Sequence, residues 1–244
     1  MTDQRRVAIL QSSYVPWKGY FDLMNLADEF VLLDDVQYTR RDWRNRNRIK
    51  TAQGVQWLTV PVITKGRYLQ RIDEVRVSDM GWRQRHWRAI NHAYARAPYF
   101  QRYREWLHSL YLEVDGSRLS DINRRFLQAV CEQLGITTRV SWSTEHGVEP
   151  RDPSERLAAL VAAVGGREYV SGPAGRAYLR LEPFEERGLS VQFIDYTGYP
   201  EYPQAHGPFE HRVSILDLLL NVGEAAPSYM KSFEGPPALV PAMP

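Results

Sequence analysis

The sequence has one cysteine among its 244 residues, which excludes an internal disulfide framework and any cysteine-built zinc site. It has no apolar run near the roughly eighteen residues that a membrane-spanning helix needs. Its opening Met-Thr-Asp-Gln-Arg-Arg lacks the apolar stretch of a signal peptide, so the expectation is a soluble cytoplasmic protein with no membrane span. An excess of one charge is missing too. With 31 basic and 29 acidic residues the net charge is +2, so a nucleic-acid face would have to be a local patch. The six histidines include no His-Glu-x-x-His or comparable spacing, and no metal site is expected. No internal repeat is found. What is present is a folded composition: 43% hydrophobic residues, on a length that fits one large domain or a domain carrying an insertion.

Periodicity gives the order of elements. Val7 to Leu10 reads as a buried strand, Phe21, Leu23, Met24, Leu26 and Ala27 as an apolar helix face, and Phe30 to Leu33 as a second strand. Strand, helix, strand favours a parallel pair with a right-handed crossover. Trp57 to Ile63 should pair with Arg48 to Thr51 through a turn at Gln53-Gly54, and Ile72 to Val77 reads as a further strand. From Gly81 to Gly135 the pattern is helical. It is broken at Ala97-Pro98, carries a clean stripe at Ile122, Phe126, Leu127 and Val130, and is capped by Gly135. Alternation then returns: strands over Thr138 to Trp142, Glu168 to Val170 and Leu189 to Ile194, and helices over Pro153 to Val164 and Ser214 to Leu220. The implied fold is α/β, a mostly parallel Rossmann-like sheet, with a nucleotidylyltransferase-like variant left open. It spans residues 1–233 as a single domain with a helical insertion at about 80–135, and the proline-bearing tail over 234–244 is expected to be disordered.

Polar chemistry concentrates just behind the first strands. Gln11, Tyr14, Trp17 and Tyr20 follow the first, Asp34, Asp35 and Gln37 the second, and in parallel sheets ligands collect beyond the carboxyl ends of strands. Next comes Trp43-Arg44-Asn45-Arg46-Asn47-Arg48. On an extended strand its arginines share one face and Trp43, Asn45 and Asn47 the other, a possible clamp for phosphate or carboxylate. The bland alternative is an edge strand guarded by charge, but alternating amides argue for a ligand.

These segments resemble the WbqC-like family of bacterial proteins. The likeness rests on Gln11-x-x-Tyr14-x-Pro16-Trp17-x-Gly19-Tyr20-Phe21-Asp22, on Asp34-Asp35-Val36-Gln37-Tyr38 and on Trp43-x-Asn45-Arg46-Asn47-Arg48-Ile49-Lys50. It continues through Trp57 to Pro61, Trp82 to His86, Tyr169 to Pro173, Tyr202-Pro203-Gln204, Phe209 and Ser214 to Asp217. Leu10 and Ser12 stand where many relatives have histidine and proline. Members are associated with surface-polysaccharide and related biosynthetic clusters, and some are labelled glycine transferases, so the resemblance implies biosynthetic group transfer.

Other candidates carry bland readings as well. Asp34 and Asp35 could serve a metal-phosphate substrate or act as a base and its orienter, or could cap a turn and pair with arginine. Ser171-Gly172 before a helix at Pro173 would make an anion site or a plain cap. The likeness of this loop to nucleotidylyltransferases lacks their histidines, Gly19-Tyr20 standing where Gly-His would be expected. Tyr202, Gln204 and His206 share a loop, and a lone loop histidine more often does nothing catalytic. His86 is either a packing residue or faces the site. His92 and His108 read as surface residues, Cys131 as core, and Ser214-x-x-Asp217 as a capping box.

The leading expectation is a transferase moving an acyl or aminoacyl group, glycyl among them, from a carrier or coenzyme thioester to an amine or hydroxyl of a sugar-like metabolite. Asp35, His86 or His206 would take the proton, and Gln11, Tyr14 or Asn45 would stabilise the oxyanion. Trp17, Tyr20, Asp34, Gln37, Trp43, Arg44, Asn45, Arg46, Asn47, Arg48, Ser171, Gly172, Tyr202 and Gln204 would bind substrate. No tightly bound cofactor is expected; a phosphopantetheine thioester or nucleotide sugar is the substrate, with an acyl or peptidyl carrier protein as a further partner. The rivals are a nucleotide-dependent enzyme, a nucleic-acid binder disfavoured by the balanced charge, and a scaffold suggested by seven tryptophans.

Overall fold

The structure, a computed structural model, describes residues 5–113, 115–149, 152–233 and 239–242. The N-terminal strand β1 (Arg6–Leu10) runs into helix α1 (Lys18–Asn25) and then strand β2 (Glu29–Leu32), which lies parallel to it. A separate antiparallel hairpin follows, β3 (Arg46–Thr51) with β4 (Gly54–Thr59). Three helices come next: α2 (Trp82–Tyr94), α3 (Phe100–Leu112) and α4 (Leu119–Leu134). The chain then returns to the sheet with β5 (Arg139–Trp142), α5 (Pro153–Ala163), β6 (Glu168–Ser171), α6 (Glu182–Glu185) and β7 (Ser190–Ile194). Helix α7 (Ile215–Val222) and strand β8 (Leu239–Pro241) complete it.

The six-stranded sheet has the order β5-β2-β1-β6-β7-β8, parallel except for β8. Strands beside β1 are thus laid down first on one side and then on the other. This reversal is what makes the sheet Rossmann-like, and the crevice it opens lies between the ends of β1 and β6. Both faces are covered, as parallel sheets require. Ala8 faces the larger core, which holds Phe21, Phe30, Tyr94, Leu107, Phe126 and Leu219, while Val7 and Ile9 face a smaller one with Leu157, Leu160, Val161 and Phe184. The helical insertion therefore shares its core with the sheet. Gly135, at φ 72°, ends α4 in the left-handed conformation that glycine tolerates best.

Four details differ from the sequence reading. Ile72 to Val77 is no continuous strand. Ile72–Glu74 is a 3-10 turn followed by single bridges from Arg76 and Val77, because Ile72 and Val75, three apart, both point into the core while the Asp73 amide bonds the Asp34 carbonyl at 2.8 Å. The strand from Trp57 stops at Thr59, just before Pro61, which has no amide proton to donate. The helix expected from Pro173 is only a 3-10 turn, Pro173–Ala177, with Gly175 in its middle pressed against the Ser171 hydroxyl. In the tail, Leu239–Pro241 is ordered as β8 against β7, which supplies the partner an isolated proline-rich strand lacks; residues 234–238 and 243–244 lie outside the described residues. No helix of the described residues is long and apolar enough to cross a membrane.

Candidate functional site

A cleft of about 770 Å³ opens at the crevice between β1 and β6. Leu10 ends β1 at its floor, and Gly172, Pro173 and Ala174 follow β6. Tyr196, Gly198 and Tyr199 come from the segment after β7, while His211 and Arg212 precede α7. Ser13, Pro16, Trp17, Tyr20, Trp43, Arg44 and Asn47 complete the wall. A groove of about 970 Å³ along Gly66 to Arg76 is larger but shallower and lies away from these strand ends. The cleft is favoured because parallel sheets gather ligands beyond their carboxyl ends, where several loops converge.

The wall is built around a strained loop. Val15 has φ 39°, a conformation that a β-branched residue adopts only when its surroundings enforce it. The Asn47 side-chain amide donates to the carbonyls of Val15 (2.8 Å) and Tyr14 (3.2 Å), and the Tyr14 amide donates to the Trp43 carbonyl (3.0 Å). Asn45 joins the Tyr38 hydroxyl to the Val60 carbonyl. The asparagines between the arginines thus hold backbone in place, and Asn47 also lines the cleft. Gly19 sits beneath the Trp17 ring, where any Cβ would collide with it. Trp17 can therefore lie down and meet Tyr196 and Tyr199 at ring-centroid distances of 5.0 and 5.5 Å. Asp22, fully buried one turn of α1 further on, accepts the Tyr199 hydroxyl and the backbone amide of Ser232 (2.8 Å).

The charge of the cleft has one sign. Among the described residues that line it there is no carboxylate; the ionisable cations and bases are Arg44, Arg212 and His211. Arg44 is buried. One of its terminal nitrogens donates to the carbonyls of Gln11 (2.9 Å) and Ser12 (3.1 Å), and its buried Nε has no hydrogen bond but lies 3.8 Å from the Asp42 carboxylate. A guanidinium at a cleft wall, opposed only by the loosely placed Asp42 carboxylate, suits an anion. His211 packs edge-on to Phe209, ring centroids 4.6 Å apart, and its buried Nδ1 is also unpartnered. Burial, then the Lys18 ammonium, holds its pKa below the usual histidine value, which keeps the ring neutral at physiological pH. Lys18 itself donates to the Pro200 carbonyl (2.9 Å) over the Tyr199 ring, and burial lowers it to about 8 against the pull of Asp22.

The structure divides the expected site residues. Trp17, Tyr20, Trp43, Arg44, Asn47 and Gly172 meet in the cleft. The expected catalytic residues sit elsewhere. Gln11 contributes its carbonyl to Arg44 and to the Tyr20 hydroxyl, and Tyr14 is fully buried with its hydroxyl 2.8 Å from His86 Nδ1. The other nitrogen of His86 faces the Thr59 carbonyl at 3.2 Å, and burial drops its pKa to about 4, so it is a closed packing histidine. His206, at φ 69°, bonds the Ala93 carbonyl. Asp35 is paired with Arg156 and accepts the Ser143 hydroxyl (2.6 Å), tying β2 to α5. Asp34 accepts the Ser12 amide (2.8 Å) and the Ser120 hydroxyl, and burial raises its pKa. Gln37 is exposed and bonds the Tyr68 carbonyl, while Ser171 lies under Gly175.

Tyr202 and Gln204 serve a second polar centre. Asp217, read from sequence as half of a capping box, instead accepts from the hydroxyls of Tyr94 (2.7 Å) and Tyr202 (2.8 Å) and from Gln204 Nε2 (2.7 Å). Ser214 alone caps α7. Lys50 Nζ bonds Gln204 Oε1 at 2.6 Å and so closes the cluster. Among the described residues no group of three or more histidine, cysteine or acidic side chains could hold a metal ion. Sequence reasoning missed Tyr196, Tyr199, His211 and Arg212. The first pair follows β7 and could have been found by the same strand-end rule that flagged Gln11 and Asp34.

Comparison with known proteins agrees over nearly the whole chain. No solved structure matches. The uncharacterized protein Rv1507c of Mycobacterium tuberculosis is 49% identical over 227 residues, covering 93% of this chain and 98% of its own. The model of the WbqC-like protein family matches residues 11–229, which include every described lining residue of the cleft except Leu10, and the chain belongs to that family.

Proposed function

We propose that the protein is a biosynthetic transferase that moves an acyl or aminoacyl group, such as glycyl, from a thioester to the amine or hydroxyl of a sugar-like acceptor held in the cleft. The observation that carries this reading is the wall itself: Trp17, Tyr196 and Tyr199 present ring faces and edges suited to a sugar or a pantetheine arm, and among the described residues no lining carboxylate opposes an anionic donor. Cys131 is buried and pushed up to about 12, so attack comes directly from the acceptor and not through an enzyme thioester.

In this mechanism the acceptor nitrogen or oxygen forms a bond to the thioester carbonyl carbon as the carbon–sulfur bond breaks. His211, whose ring lines the cleft, takes the acceptor proton on its imidazole and returns it to the departing thiolate. Among the described groups that line the cleft, His211 is the one imidazole, and burial keeps it neutral. The test is a thermal-shift panel of ATP with magnesium, coenzyme A with acyl thioesters, and nucleotide sugars, followed by a transfer assay with the compound that shifts and an amino sugar. Stabilisation by thioesters or nucleotide sugars, with turnover lost in His211→Gln, is the expected result. Stabilisation by ATP alone would overturn the reading in favour of a nucleotide-dependent enzyme.

A further inference from the structure

The hairpin beside the cleft presents a cluster of partly exposed aromatic and cationic groups that pack on one another. Trp43 and Trp57 are 40% and 43% exposed, and their rings lie 5.5 Å apart at 35°. The Arg46 guanidinium lies 4.2 Å from the Trp57 ring centroid, and Arg48, directly opposite Trp57 in the ladder, lies 5.6 Å from Trp57 and 5.8 Å from Trp43. Among the described residues neither arginine has a carboxylate within ion-pairing distance; one terminal nitrogen of Arg46 donates to the Arg41 carbonyl, and the Nε of each arginine is buried without a hydrogen-bond partner. Edge protection does not account for this. A guarded edge needs charge alone, whereas exposed tryptophan adds the apolar surface that such guarding avoids.

Trp43 belongs to both places, since it is a wall of the cleft and the first ring of this ladder. We propose that the β3–β4 face binds a nucleoside 5′-diphosphate, its base stacked on Trp57 and its phosphates forked by Arg46 and Arg48. Resting on the transferase reading, it is the handle of the same donor whose reacting end enters the cleft past Trp43. Guanidinium groups suit phosphate, and every base offers a ring face to tryptophan. Two rings and two guanidinium groups offer partners for one base and one diphosphate, and a net charge of +2 supplies none of the extended basic field that a nucleic-acid strand demands. Coenzyme A and nucleotide sugars share this handle, so the chemistry is common to both donors.

The experiment is calorimetric titration of the full chain with ADP, 3′-phosphoadenosine 5′-diphosphate and UDP, none of which can undergo transfer. Wild type should bind at least one; tighter binding of the adenosine compounds marks a coenzyme donor, and tighter binding of UDP a nucleotide sugar. Arg46→Ala/Arg48→Ala and Trp57→Ala should each weaken that binding tenfold or more while circular-dichroism melts stay unchanged. Trp17→Ala, in the cleft, should change it less than twofold. Absence of binding at millimolar ligand, equal loss in Trp17→Ala and the hairpin variants, or tighter binding of a dT20 oligonucleotide than of any diphosphate would overturn the proposal. Because no turnover is read, failure of the transferase reading leaves this result intact and separately visible.

Discussion

The two polar centres of this protein end in opposite states. Around Asp217, two tyrosine hydroxyls, a glutamine and a nearby lysine meet each other's needs inside the core. Around the cleft, Arg44 Nε and His211 Nδ1 each lack a hydrogen-bond partner, Arg44 Nε having only an ion pair with Asp42 at 3.8 Å. Saturation is the mark of a group that holds the fold, and an unused donor or acceptor at a cleft wall is the mark of one available to a ligand. The aspartates behind β2 fall on the saturated side: Asp34 and Asp35 are engaged by Ser12, Ser120, Ser143 and Arg156.

That contrast can be broken most strongly at the closed centre. Asp217→Ala strands the donors of Tyr94, Tyr202 and Gln204 in a buried site and should cost about 3 kcal/mol or more in urea unfolding. A loss below about 1 kcal/mol would mean that water replaces the carboxylate and the cluster is open after all. The second effect is set by pH. His86 is lowered to about 4, so between that value and the ordinary 6.5 the unfolded chain takes up a proton that the folded chain refuses. Its stabilising share is complete above 6.5 and falls away toward pH 4, by on the order of 3 kcal/mol. His86→Gln should flatten that part of the stability–pH curve, and an unchanged slope would place the titrating group elsewhere.

The cleft should respond in ligand binding more than in stability. Gly19→Ala pushes the Trp17 ring off its glycine and should cut affinity for whichever donor the panel identifies by about tenfold, read by calorimetry, for a stability loss of about 1 to 3 kcal/mol from overpacking. The smallest structural effect is expected for His211→Gln. Its melting free energy should stay within about 0.5 kcal/mol of wild type because no hydrogen bond is lost at Nδ1. A large destabilisation there would move His211 to the saturated side of the comparison.

Much of the framework was legible because period and punctuation suffice for it: the β1–α1–β2 unit, the Gln53-Gly54 hairpin and the α4 stripe capped by Gly135 all follow from local pattern. The cleft was half legible. Trp17, Tyr20 and Trp43 stand close to their strand ends in sequence, whereas His211 arrives from a loop before α7 with no local sign of where it will sit. Partners were the least visible. Nothing near Asp35 announces that Arg156, 121 positions away, will neutralise it, or that Tyr94, 123 positions from Asp217, will cap its charge. An acid looks reactive in sequence until the fold shows what it is bonded to.

The position of β1 also sets a timetable. Its first neighbour, β2, follows within a few residues of α1, but its second is registered as Arg6 opposite Glu168, an ion pair between residues 162 positions apart. At about 5 to 20 residues per second, a ribosome leaves one edge of the central strand unpaired for roughly ten to thirty seconds. During that interval the nascent chain displays Val7 and Ile9 without the partners that later cover them. Synthesis of this protein therefore includes a period in which the half-built sheet has an open edge that another chain could pair with.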